Sequence, residues 1–189
     1  MFARTERLLL RPGWLEDAPE VFNAINDRGI VRMLANAPWP YKLSDAEQWL
    51  GIEPEPLLPN FLLFERTNGA PVFIGSAGLG WDDNDKIQIG YWLRRSHWGK
   101  GFATEAGRAV LEVATALGHK HISAGHFTDN PGSGSVLRKL GFQPTGKVEQ
   151  RKTRGRESST AACVLYENDL SGQSRDPDAA IELMRPLAA

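Results

Sequence analysis

One passage constrains the fold of this chain more than any other: an alternating strand that runs through a two-glycine turn into a long helix. Lys86 to Leu93 (KIQIGYWL) places Ile87, Ile89, Tyr91 and Leu93 on one face, the period expected of a half-buried strand. From Ala103 to Leu117 the period changes: Ala106, Val110, Val113, Ala114 and Leu117 recur at helical spacing, and Gly118 supplies a C-terminal stop. A strand followed at once by an amphipathic helix must bury the two apolar faces against each other, so the chain reads as mixed α/β with Lys86 to Leu93 as its central strand.

The flanking segments extend this pattern. Thr5 to Arg11 reads as a strand, Pro12-Gly13 punctuates it, and Val21, Phe22 and Ile25 share a helix face. Ser44-Asp45-Ala46-Glu47 matches a capping box, with Trp49 and Leu50 on the apolar side of the helix it opens. Phe61 to Glu65 and Val72 to Leu79 flank an Asn68-Gly69 turn signal and predict a hairpin, followed by a polar turn at Asp82 to Asp85. Downstream, His121 to Thr128 predicts a strand, Ser133 to Leu140 a short helix ended by Gly141, and Phe142 to Gln150 and Ala161 to Asn168 two more strands. One domain over 1–170 is expected, with a polar tail over 171–189 in which Asp176-Pro177 offers the start of a short helix.

Composition excludes several classes. A net charge of -1 argues against nucleic-acid binding through bulk electrostatics. The single cysteine, Cys163, excludes an intrachain disulfide and reads as core, and the four histidines form no metal-ligand spacing. No apolar run is long enough to span a bilayer and the N-terminus lacks the pattern of a secretory signal, so no membrane association is expected and a cytoplasmic location is.

Chemistry enters at Trp98-Gly99-Lys100-Gly101-Phe102-Ala103-Thr104. Free amides at the start of a helix bind anions, Gly99 and Gly101 lack the Cβ atoms that would keep an oxygen-rich ligand off the backbone, and Lys100 adds a cation. The same glycines serve equally well to shape a tight turn. A nucleotide P-loop fails, because Arg94 stands where its first glycine belongs and Gly101 follows Lys100. A dinucleotide fingerprint fails at Thr104, where it needs glycine.

The full run GYWLRRSHWGKGFATEA (Gly90 to Ala106) resembles motif A of the GNAT superfamily of N-acetyltransferases, Gln/Arg-x-x-Gly-x-Gly/Ala, with Trp98, Gly101 and Ala103 at its three defining positions. Tryptophan at the first position is similar to the RimJ/RimL-like branch of ribosomal-protein N-terminal acetyltransferases. DNPGSGSVLRKLGF (Asp129 to Phe142) resembles the family's Asn-x-x-Ser followed by Leu-x-Lys-Leu-Gly-Phe, with Asn130 and Ser133 at the polar positions. The likeness runs from Thr5 to Leu170.

The resemblance implies a GNAT fold, a mixed and mostly antiparallel six- to seven-stranded sheet flanked by helices and splayed between the strands Ile87 to Leu93 and His121 to Thr128. It implies acetyl-CoA as cofactor, its pantetheine paired with main chain near Leu93 and with Asn130. Its pyrophosphate would lie on the amides of Trp98 to Thr104 (Gly99, Lys100, Gly101, Phe102 and Ala103 between them), with Arg94, Arg95 and Lys100 adding charge. Ser133 is the candidate donor to the departing sulfur, the alternative being that its hydroxyl caps the helix that follows. Relatives of this branch often carry Glu where Gln88 stands, and an amide cannot take a proton. His126, with an unperturbed pKa of ~6.5, is the candidate base in its place, the alternative being a hydrogen-bonded core histidine. Trp39, Tyr41, Trp49 and Trp81 border the acceptor pocket by the same likeness, the alternative being the core or rim role usual for tryptophans in a compact domain. The acceptor is expected to be a primary amine: a protein N-terminus, or alternatively a small antibiotic or metabolite. A non-catalytic acyl-CoA-binding module is a third reading. Relatives include dimers, so a homodimer is compatible with the sequence.

Overall fold

The computed structural model describes residues 1–172; the short helix expected at Asp176-Pro177 lies outside them. The strands are β1 (Ala3–Arg4), β2 (Leu8–Arg11), β3 (Asn60–Glu65), β4 (Val72–Trp81), β5 (Ile87–Leu93), β6 (His121–Phe127), β7 (Gln143–Lys152) and β8 (Thr160–Asp169). The helices are α1 (Ala18–Ile25), α2 (Arg28–Val31), α3 (Leu43–Leu50), α4 (Phe102–Ala116) and α5 (Pro131–Lys139).

One sheet runs in the order β1-β2-β3-β4-β5-β6-β8-β7. Every neighbouring pair is antiparallel except β5 and β6, which are parallel and meet at one bridge, Gln88 with Ser123. The molecule is therefore two antiparallel half-sheets joined at a fork. Alternation along β5 sends Ile89 and Leu93 into a core shared with Val110, Val113 and Leu137 of α4 and α5. It sends Trp92 to the opposite face, where Val21, Ile25 and Phe73 form a second core under α1 to α3. Gln88 shares the Trp92 face.

The sequence expectation of six to seven strands becomes eight, because β1 forms upstream of the expected Thr5 to Arg11 strand, of which only Leu8–Arg11 is strand. Thr5 turns back on Leu8, donating its amide to the Leu8 carbonyl at 2.9 Å and accepting the Leu8 amide on its hydroxyl at 2.9 Å, which splits β1 from β2. The α3 start also differs. The helix begins two residues earlier, at Leu43 with Lys42 as N-cap, and the Asp45 carboxylate takes the Lys42 amide at 2.7 Å, so Asp45 and not Ser44 supplies the cap.

The hairpin end after β7 reaches across the second face to α2. The Arg154 amide donates to the Ala35 carbonyl at 2.9 Å, and Arg156 holds Asp129 through two hydrogen bonds of 2.9 Å. This strap roofs a cleft between the sheet and the helices α2 and α3.

Candidate functional site

The glycine turn takes the form that an anion site requires. Gly101 is the N-cap of α4 with φ +86°, a left-handed conformation that a side chain strains, and no side chain caps the helix. The first-turn amides beyond it are thus left for a ligand or water. At Gly99, with φ +73°, an added Cβ would meet nothing within 4 Å, so a ligand can approach the backbone. Trp98 fixes the loop to the end of β5: its indole N–H donates to the Leu93 carbonyl at 2.8 Å. The residues present fit a diphosphate.

The cations of this region sort differently from the sequence expectation. Lys100 has no carboxylate partner among the described residues. Arg94 and Arg95 turn to the other face: Arg95 pairs with Asp27 through bonds of 2.9 and 2.6 Å, and Arg94 lies over the Phe73 ring with Glu20 3.7 Å away. Arg7, which the motif does not contain, comes to the cradle instead. It donates to the Lys100 carbonyl at 3.0 Å, covers the Phe102 ring at 4.3 Å and lies 3.4 Å from where a Gly101 Cβ would be. Glu105 positions it, accepting Thr5 Oγ1 at 2.5 Å, the Arg7 amide at 2.9 Å and Arg7 Nε at 2.7 Å. Burial pushes the Glu105 carboxyl up, but those donors outweigh it and hold the pKa below the usual range.

Beyond the fork, β5 loses its partner. The Arg94 amide bonds to Ile74 on β4, so strand alternation turns the Leu93 amide and the main-chain groups of Tyr91 towards the open side, where an extended ligand can add as a strand; the Leu93 carbonyl already accepts from Trp98. Two side chains cross this gap. Tyr91 Oη lies 2.9 Å from Ser133 Oγ and 3.2 Å from the Ser133 carbonyl. Burial raises the Tyr91 pKa to about 12, so the phenol holds its proton through the physiological range. Asn130, and not Ser133, is the N-cap of α5, accepting the Ser133 amide at 3.3 Å. That leaves the serine hydroxyl for Tyr91 and the gap.

On the second face the fork carries a different set. Arg151 of β7 donates to Gln88 Oε1 at 2.8 Å and to Asp82 Oδ2 at 3.0 Å. Asp82 is enclosed, its side chain 2% exposed, and also accepts the amides of Asn84 and Lys86. Burial pushes its pKa up, and these hydrogen bonds more than offset that, leaving it lowered. The continuous cleft that spans gap and second face has a volume of about 970 Å³. Tyr41, Trp49 and Trp81 are among the residues that line it, and Trp39 is not.

His126 lies on the α5 side of the sheet, opposite Gln88. Its Nδ1 is 2.9 Å from the Phe127 carbonyl, which makes Nδ1 the protonated nitrogen, and Nε2 is left as an acceptor 3.4 Å from the Tyr166 hydroxyl. The ring packs under Gly134, where an added Cβ would come within 2.5 Å of Nε2. His97, in the loop leading into the glycine turn, faces Glu65 at 3.1 Å. Cys163 is buried, as expected, and burial pushes its thiol pKa up.

Sequence reasoning missed Tyr91 as a functional group, Arg7 with Glu105, and Arg151 with Asp82. Only Tyr91 had a local signal, a hydroxyl on the core face of a strand. The others are carboxylate–arginine contacts separated by 69 to 98 residues, which no spacing rule reveals. No group of three His, Cys, Asp or Glu suited to a metal occurs among the described residues, and none of their helices is long and apolar enough to cross a membrane.

Comparisons agree with this architecture. The family model described as Acetyltransferase (GNAT) domain matches residues 7–143. The chain is 30% identical over 179 residues to an uncharacterized N-acetyltransferase p20 of Bacillus licheniformis, covering 89% of this chain and 97% of that protein. It shares its fold with the microcin C7 self-immunity acetyltransferase MccE, solved with acetyl-CoA and AMP (TM-score 0.71, 19% identity, covering 87% of this chain and 93% of that one). It shares it equally with RimL, the ribosomal L7/L12 α-N-protein acetyltransferase, solved with coenzyme A (TM-score 0.71, 16% identity, covering 89% and 98%).

Proposed function

Since this chain belongs to the GNAT acetyltransferase family, we propose that its acceptor is the α-amine of a protein or peptide N-terminus, as in the RimL-like branch. The chain is an N-acetyltransferase, and its acetyl donor is acetyl-CoA. The catalytic domain covers 1–170.

The observation that carries the acceptor assignment is the state of the groups at the fork. Gln88 cannot accept a proton, and Asp82 is held in its charged form by Arg151 and two amides, which makes it a poor base. An amine arriving there has to be neutral already. With reference pKa values of about 7.7–8.0 for an α-amine and 10.4 for lysine, the neutral fraction near neutral pH favours the α-amine by roughly 300-fold.

In this reading the first-turn amides of α4, with Lys100 and Arg7, hold the diphosphate, and the main chain of Tyr91 with the Leu93 amide aligns the pantetheine arm, as does Asn130. The bound cofactor supplies a thioester carbonyl as electrophile. With the cofactor bound, Ser133 would donate its hydroxyl proton to the sulfur as the amine displaces it, Tyr91 would replace that proton through the 2.9 Å contact, and Tyr91 would regain one from water, which also takes the excess proton of the new amide.

The strap contact of Arg154 with Ala35 narrows the cleft and favours, as a second reading, a small-molecule amine. Thiol release measured with free-N-terminus peptides, the same peptides N-terminally blocked but bearing lysine, and a set of small amines tests both. The proposal expects turnover confined to free α-amines; turnover of small amines alone, or of blocked lysine peptides, overturns it.

A further inference from the structure

The fork contains a hydrogen-bond donor that the chemistry above does not use. Arg151 can only donate, so its bond to Gln88 fixes which end of the amide faces it: Oε1 points to the guanidinium and Nε2 points away. Nothing in the described residues accepts from Nε2. The clamp is rigid by construction, because Arg151 is 11% exposed and its second nitrogen is anchored on the enclosed Asp82. The amide nitrogen therefore presents two fixed N–H donors into the cleft, at the last paired position of β5 before the gap opens.

The surface beside it is bare. Gly80 is paired with Gln88, and Gly90 follows it on the same face; an added Cβ at either glycine would meet nothing within 4 Å. That space admits the main chain of an acceptor rather than only the tip of a side chain. A half-buried donor pair next to open backbone-sized space matches a carbonyl oxygen, and in an α-aminoacyl acceptor the carbonyl carbon is bonded to the same carbon that bears the reacting amine.

We infer that Gln88, oriented by Arg151 and Asp82, is a specificity-determining residue whose Nε2 binds the first carbonyl oxygen of the acceptor, a subsite for α-aminoacyl compounds. The inference rests on the α-amine reading of the acceptor. It gives the glutamine a role that a carboxylate could not fill, since a carboxylate at this place would turn an acceptor oxygen towards the carbonyl.

The test pairs two substrates and two variants. The best-turned-over free-N-terminus peptide is compared with its analogue in which the first peptide bond is replaced by an (E)-alkene, which keeps the shape and removes the carbonyl. The ratio of kcat/KM for peptide over alkene is measured for the native enzyme, Gln88→Met and Gln88→Glu; comparing ratios cancels the different amine pKa values of the two substrates. Both variants are expected to lower the ratio, by roughly 2- to 10-fold for the methionine, the range of one neutral hydrogen bond. An unchanged ratio in both variants overturns the assignment while leaving the α-amine reading intact. A higher rate of Gln88→Glu on both substrates would make this a position for a base and overturn it as well. Absence of turnover with every peptide overturns the α-amine reading and the subsite with it. Equal melting temperatures of the three proteins would tie the ratios to the side chain and not to folding, and if Gln88→Met melts early, the isosteric glutamate decides.

Discussion

The hydroxyls of Tyr91 and Ser133 lie 2.9 Å apart across the gap between β5 and α5, and they are joined to different halves of the sheet. With the Tyr91 pKa raised to about 12, the pair is a proton-bearing chain of two hydroxyls ending beside the place where a pantetheine sulfur would arrive. Ser133→Ala is expected to lower kcat by about 100-fold, at the low end of what a positioned proton donor contributes. Tyr91→Phe should lower it by about 10-fold, and the double variant should cost little more than Ser133→Ala alone, since both act on one proton. Stopped-flow or steady-state thiol release measures the rates, and calorimetric titration with coenzyme A should give a dissociation constant within about 3-fold of the native one. A fully multiplicative double variant would separate the two residues.

Gly101→Glu addresses the cradle. The residue needs φ +86°, a conformation that costs a side chain about 1–3 kcal/mol, and the new carboxylate would lie in the space left for a diphosphate. Coenzyme A affinity is expected to fall by at least about 100-fold, more than the strain alone explains, while circular dichroism still reports a folded protein. Native affinity in the titration would remove the turn from the cofactor site.

The pH dependence follows from the acceptor side. With Gln88 neutral and Asp82 held below the usual carboxylate range, no group at the fork is expected to titrate between about pH 6 and 9. The rate at low acceptor concentration should rise with the neutral fraction of the acceptor, with a midpoint at the amine's own pKa near 7.7–8.0. Tyr91, raised to about 12, keeps its proton and adds no falling limb below about pH 11. A pH dependence beyond the acceptor's own that disappears in His126→Phe would restore the histidine as base.

The central strand, the long helix and the glycine turn were legible in the sequence because each is local: alternation, helical spacing and two glycines announce themselves within a few residues. Ser133 was legible as a candidate for the same reason. What fixes its role is not local, since Asn130 takes over the cap while Tyr91, on a strand 42 residues away, takes the hydroxyl. Arg94 and Arg95, expected beside the phosphates, pair elsewhere for a related reason. Charge next to a motif does not fix direction, and Asp27 and Glu20, brought there by α1 and α2, draw both arginines to the opposite face. His126, expected on the strand facing the gap, does line the cleft beside Ser133, on the α5 side of the sheet and opposite Gln88.

Glu105 is expected to give the fold part of its acid sensitivity. Its carboxyl is held below the usual range in the folded state, so the stabilisation is complete above the unfolded pKa, about 4.3, and is lost as the pH falls through the lower folded value. Glu105→Gln should unfold at a lower urea concentration at pH 7, by roughly 1–3 kcal/mol. It should also show a flatter loss of stability below about pH 4.5 than the native protein. Parallel curves for the two proteins would assign the acid sensitivity elsewhere.

The strap gives the last prediction, because Asp129 alone joins it to two arginines. Arg156 is 15% exposed and stacks on Phe127 at 4.5 Å, and Arg32 reaches the same carboxylate at 2.5 Å from the end of α2. Asp129→Ala leaves the Arg156 guanidinium enclosed without its partner. Since Asp129 is itself 38% exposed, solvent screens part of the loss, and the cost should be about 1–2 kcal/mol rather than that of a sealed pair. The larger effect should be local. With the Asp129 bridge gone and the hairpin end held only by the Arg154 to Ala35 hydrogen bond and the exposed Arg28–Glu157 pair, the 153–159 segment is expected to be cut by trypsin at least about 10-fold faster under native conditions, in line with a local opening that has lost about 1.4 kcal/mol or more. The acceptor KM should rise while coenzyme A affinity stays, because the strap roofs the second face and does not touch the glycine turn. Equal proteolysis rates for the two proteins would show that the Arg154 to Ala35 hydrogen bond suffices to hold the roof.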